Sequence, residues 1–448
     1  MESKRRPSPV ACIAVAVSGA LAASAVHAQT TPRQVVKPPI SQAWIDVATF
    51  SGFGMGGMGM GGAGGGSGGG MMNATLGQLM GGRNARAEFG NTQIGVAGRW
   101  MDVTLYTSRN TSLAEALQAV PTGTQLAPTL SLQTPEKPKP PPKGDDDQPA
   151  EWNYEPPKGK LVLYWGCSET VRPGQPKVVD LATATLGELA KFFESRRATQ
   201  RGTHATFGRP VWPSKDDKRT FPEGASIVGQ HSFTGSGVPE SFKFTIPAAQ
   251  DIMPEIKVRQ TDRNGAVLLE WNAIPHARAY FLGSMGALAG EDQGMVLWTS
   301  SELPDSGFGL FDYQTNSAVD KWLGEKVLLP PTTTKCAIPK DAAGAGMLRA
   351  IAYGTEINMA YPPRPTDPKI AWEPEWNLKL RVKSMTTTML GMSGDSGMLG
   401  AGDMGGDEMT DAPQPQEGEQ AAPTEEPKKK KRFNPFDAVK DVVKDNFP

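Results

Sequence analysis

The chain has 448 residues, 46 basic against 47 acidic, and is 38% hydrophobic, with 51 glycines and 39 prolines. Balanced charge argues against a nucleic-acid binder, which would show a positive excess. Low apolar content with so much Gly and Pro predicts ordered domains separated by segments that cannot bury a core. After residue 28 no apolar run reaches the ~20 residues of a transmembrane helix.

Lys4, Arg5 and Arg6 precede an apolar run over 10–23, and Val26 and Ala28 supply small residues at −3 and −1 of a cleavage site. This is the layout of a secretory signal over 1–28, removed before Gln29; the alternative is a retained N-terminal anchor. The mature protein is expected in the periplasm of a Gram-negative bacterium, or secreted. Only Cys167 and Cys336 then remain. In an oxidising compartment they have the option of one disulfide; otherwise they are two buried thiols acting as small apolar residues.

Residues 34–249 read as a β-rich domain with a Gly/Met-rich loop at 51–72 and a Pro-rich loop at 133–150. Strands are expected at 42–50, 160–165, 177–181 and 241–246, from apolar runs or alternation bounded by turn residues. Trp100-Met101-Asp102-Val103 echoes Trp44-Ile45-Asp46-Val47, either as a degenerate repeat or as two similarly patterned strands of one sheet. Leu113, Ala116, Leu117 and Val120 recur at helical spacing, which predicts a helix over 112–120. A second short helix is expected around Leu186, Leu189, Ala190 and Phe193.

Residues 254–385 carry seven strand candidates, at 255–259, 266–271, 279–282, 295–299, 333–338, 348–353 and 378–382, with a short helix at 318–323. The fold class is therefore mainly β, with two β-rich domains, the second a sandwich. Leu268, Leu269 and Trp271, followed by Pro275, Ala277, Tyr280 and Leu282, resemble the second and third strands of fibronectin type III domains. That resemblance implies an immunoglobulin-like sandwich in which the two aromatic rings fill the gap between sheets. Such folds mostly bind or space other molecules.

Residues 386–427 form a Gly/Met-rich and then acidic linker, expected to be disordered. Lys428, Lys429, Lys430, Lys431 and Arg432 reverse the charge. Asn434 and Pro435 then open a short amphipathic helix with Phe436, Val439, Val443 and Phe447 on one face. The basic run beside an apolar face predicts docking on an envelope protein, a polysaccharide or an anionic membrane surface; the alternative is a frayed tail whose cations pair with the acidic stretch before it.

Two motifs are decoys. Gly52, Gly54 and Gly57 have dinucleotide-fingerprint spacing but lead into more glycine rather than a helix, so no cofactor is expected. Gly394-Asp395-Ser396-Gly397 resembles a serine-protease motif but lies in the linker, without a scaffold for a His and an Asp. The methionines read either as part of a flexible linker with weakly adhesive side chains or as a soft-metal site. Met55, Met58 and Met60, with Met389 and Met392, offer soft thioethers that suit Cu(I). A third reading is a carbohydrate-active enzyme with Glu169 as first acid and Trp152, Tyr154, Trp165, Trp212 and Trp298 as sugar platforms. The leading expectation is an exported envelope protein with a binding or scaffolding role and no catalysis.

Overall fold

The computed structural model describes residues 34–52, 88–137, 159–198, 202–288, 294–344 and 346–391. The signal segment, the tail at 428–448, the linker beyond 391 and most of the Gly/Met-rich and Pro-rich loops lie outside those residues.

The described chain is mainly β. Its strands are β1 (Ser41–Gly52), β2 (Gly98–Thr107), β3 (Glu115–Ala119), β4 (Thr129–Gln133), β5 (Lys160–Trp165), β6 (Lys177–Asp180), β7 (Val211–Trp212), β8 (Gly229–Gly235) and β9 (Lys243–Ile246). Then follow β10 (Val258–Arg263), β11 (Ala266–Trp271), β12 (Ala279–Ala287), β13 (Met295–Thr299), β14 (Lys335–Ile338), β15 (Gly346–Tyr353), β16 (Ile357–Tyr361) and β17 (Trp376–Met389). Three short helices, α1 (Asn91–Ile94), α2 (Leu186–Phe192) and α3 (Asn316–Gly324), lie between them. Thr185 and Glu188 close a capping box on α2, and Thr315 caps α3 by accepting from the Ala318 N–H. No helix among the described residues is long and apolar enough to cross a membrane.

One large sheet runs in the order β6-β5-β13-β12-β15-β17-β1-β2-β7-β4-β3-β8-β9, with β16 added beside β17. A three-stranded sheet, β10-β11-β14, is separate. The boundary expected near residues 249–254 does not divide one sheet from another. β1 pairs with β17 in parallel over its whole length, and β5 pairs in parallel with β13. The main core joins Ile45, Val103 and Phe233 to Leu269, Leu282 and Leu380, and thus spans both halves of the chain.

The helix expected over 112–120 is instead a turn and β3. Its residues alternate, with Ala116 and Gln118 buried and Leu117 46% exposed. Buried Gln118 donates to His231 Nδ1 at 3.2 Å, so a polar residue occupies an inward position and an apolar one faces out. The composition thus gave the wrong period.

Candidate functional site

Among the described residues, buried Asp46, Asp102, Arg381 and Lys383 gather at the middle of the large sheet, where β2, β1 and β17 run side by side. All three strands are apolar enough to be buried on both faces, yet each places ionisable groups on one of them. Cross-strand register puts Asp102, Asp46 and Arg381 in one row. Two residues further along β1, Trp100, Ala48, Lys383 and Tyr353 form the next row. Residues 202–204 and the loop at 305–314 cover this face.

Each carboxylate here is fully engaged. Arg381 donates Nε to Asp46 Oδ1 and Nη2 to Asp46 Oδ2, both at 2.6 Å. Thr203 adds its N–H at 3.0 Å and its hydroxyl at 2.8 Å, both to Asp46 Oδ2. Asp102 accepts from the Gly90 N–H at 3.0 Å, the Thr92 N–H at 3.2 Å and the Thr92 hydroxyl. Tyr313 donates to the Val47 carbonyl at 2.9 Å, and its ring lies beneath both Arg381 and Lys383 at 4.3 and 4.2 Å. Lys383 Nζ is 3.6 Å from Asp312.

Like charges directly opposite on paired strands repel, and the environment resolves this for Asp46 and Asp102 in two ways. Burial raises Asp102 to about 7, against the hydrogen bonds from Thr92 and Gly90 that favour its charge. Burial disfavours the Arg381 cation too, but Asp46 outweighs it and holds its pKa above the ordinary value. Burial also pulls Lys383 down to about 8, although Asp312 opposes the shift.

Shifted groups clustered together mark a candidate for proton transfer. A general acid or base must also reach a substrate proton. Asp46 and Asp102 are 1% and 0% exposed, and their oxygens are taken by protein donors. The arrangement fastens three strands and two loops together and offers no vacant acceptor to a substrate.

The residues singled out in the sequence are dispersed. Cys167, just after β5, is disulfide-bonded to Cys336 on β14, 169 residues away. The Ser168 N–H also bonds the Ala337 carbonyl at 3.1 Å, so the end of β5 is tied to the smaller sheet. Met389 ends β17 and is 37% exposed. Met55, Met58, Met60 and Met392, and the whole docking set from Lys428 to Phe447, lie outside the described residues. Trp212 and Trp298 are core residues rather than sugar platforms. Glu169 forms a solvent-exposed ion pair with Arg263 at 3.0 Å. Trp165 is half-buried, and Trp152 and Tyr154 lie outside the described residues.

Sequence reasoning did not select Asp46, Asp102, Arg381 or Lys383 as a group. The Trp-apolar-Asp-Val echo contained half the signal, because it marks two strands that pair with their aspartates opposed. Comparison with protein families, curated proteins and solved structures finds no match to this chain.

Proposed function

We propose that this is an exported envelope protein that binds or spaces a partner and performs no chemistry. The observation that carries this reading is the disulfide between Cys167 and Cys336. Such bonds persist in oxidising compartments, which fits export through the N-terminal signal. The hydrogen-bonded carboxylates of the buried cluster fit a scaffolding role.

Within this reading, residues 254–385 form a sandwich resembling fibronectin type III domains. In immunoglobulin-like folds the first, second and fifth strands share one sheet, and the third, sixth and seventh share the other. In support, β10, β11 and β14 share one sheet and β12, β13, β15, β16 and β17 belong to the other, eight strands in place of the seven of the constant-type fold. β13, the fourth strand, joins β12. Trp271 on β11 meets Tyr280 on β12 edge to face at 5.6 Å, as the resemblance implies.

The partner surface assigned to this protein is the basic, amphipathic tail at 428–448. A pull-down from envelope extracts tests it, using the mature chain beside a version ending at Pro427. A protein, polysaccharide or lipid fraction retained by the first and lost by the second is the expected result. Retention that is equal in both moves the binding to the folded β structure, and retention by neither removes the docking role.

A further inference from the structure

We propose that Met285, Met347 and Met389 form a site for a monovalent soft cation, Cu(I) or its analogue Ag(I), on the surface of the large sheet. The assignment does not depend on the scaffold reading. Antiparallel pairing places Met285 of β12 directly opposite Met347 of β15, and Met347 directly opposite Met389 of β17. Three successive strands therefore carry methionine at the same level. Directly opposed residues project from the same face, with Cβ atoms about 4.5–5.5 Å apart. The middle thioether thus has another on either side, within the sweep of two flexible side chains.

Exposure and anchoring both suit a ligand site. Met285 and Met389 are 36% and 37% exposed, and Met347 is half-buried between them. An ion can arrive from solvent without opening the core. The backbone beneath is held: the Leu390 N–H bonds the Gly346 carbonyl at 2.8 Å, and Gln260 donates to the Met389 carbonyl at 2.9 Å. The third thioether therefore does not hang on a loose strand end.

Donor type and local charge select the ion. Thioethers are soft, neutral ligands that favour Cu(I) over Ca²⁺, Mg²⁺ or Zn²⁺. Among the described residues, no group of three or more His, Cys, Asp or Glu is placed to hold a metal ion. Arg349, two residues along β15 from Met347, lies over the Phe311 ring at 4.3 Å and donates to Met385 Sδ at 3.5 Å. A neighbouring fixed cation repels any bound cation, and a divalent ion about twice as strongly as a monovalent one.

Ag(I) is the probe, because it needs no reductant and leaves the disulfide intact. The full mature chain, carrying ¹³C-methyl methionine, is titrated with Ag(I) and followed by NMR and by competition for the ion. The expected first equivalent shifts the three methyl signals that vanish in Met285→Leu, Met347→Leu and Met389→Leu. The triple variant loses that equivalent, and Met347→Leu alone weakens it at least tenfold. Leucine preserves side-chain volume, so the variants should remain folded, and the single variant serves if the triple does not. A chain with Met55, Met58 and Met60 all changed to Leu retains the equivalent. Affinity unchanged in Met347→Leu, or a first equivalent that leaves those three signals in place, overturns the assignment.

Discussion

Asp46 of β1 and Arg381 of β17 lie opposite each other in a parallel pair and form a two-pronged buried ion pair, although 335 residues separate them in the chain. The first strand of the described fold is thereby fastened to its last. Two consequences follow for stability. Removing one partner leaves a buried charge uncompensated, which costs about 3–5 kcal/mol. Replacing both partners with apolar residues of similar size is often neutral or better. Urea unfolding should therefore show Arg381→Ala to be strongly destabilising, and Asp46→Leu with Arg381→Met to be much less so. Equal losses in the two proteins would mean that the pair itself, rather than its isolated charge, dominates.

Gly202 sets how closely the covering loop can approach that pair. A Cβ built there would lie 1.8 Å from Arg381 Nη2 and 2.9 Å from Asp46 Oδ2. Gly202→Ala must push the loop outward and weaken both hydrogen bonds from Thr203 to Asp46. Overpacking of this kind typically costs about 1–3 kcal/mol. A melting curve should shift clearly downward, whereas Gly187→Ala on α2, with only a 4.0 Å contact to accommodate, should leave it nearly unchanged.

Asp102 predicts a pH dependence of known sign. Its folded pKa is raised from 3.8 to about 7, so between those values the folded state holds a proton that the unfolded chain has released. Stability should then fall as pH rises from about 4 to 7, because the folded state binds the extra proton, and level off above. Asp102→Asn cannot ionise and keeps one acceptor oxygen, which serves the Thr92 donors or the Gly90 donor but not both. Denaturant midpoints measured across this range should lose that part of the slope in the variant. An unchanged slope would assign the proton to another group.

Much of the strand content was legible because local pattern and burial agree. The runs at 160–165, 266–271 and 295–299 are β5, β11 and β13 with the expected bounds. The short helix expected at 318–323 lies within α3, where Val319 and Trp322 turn inward. Reading failed where a polar residue holds an inward position, as Gln118 does in β3, and where a strand is as brief as β7. It also failed where the partner is remote. Nothing near residue 46 announces residue 381, so the pairing of β1 with β17 could not be read from the sequence. The buried cluster was hidden for the same reason. Its members are ordinary Asp, Lys and Arg residues until the register brings them into one row.

The disulfide between Cys167 and Cys336 encloses 169 residues of sequence separation. Long enclosed loops restrict the unfolded chain most, and losing such a link typically costs about 2–5 kcal/mol. Cys167→Ala with Cys336→Ala should lower the melting temperature under oxidising conditions. Under thiol reductant the variant and the parent should converge. A variant as stable as the oxidised parent would show that the bond adds little beyond the hydrogen bond from Ser168 to Ala337.

A single sheet joins both halves of the chain, through β1 beside β17 and β5 beside β13, and the predictions for Arg381 and Gly202 rest on the first of these junctions. Hydrogen exchange during a urea titration, read peptide by peptide, tests this most directly. Peptides covering β2 and peptides covering β12 and β15 should lose protection at the same urea concentration, and Arg381→Ala should move both midpoints together. Loss of protection across 34–249 while 254–389 stays protected, with only one half responding to the substitution, would contradict it.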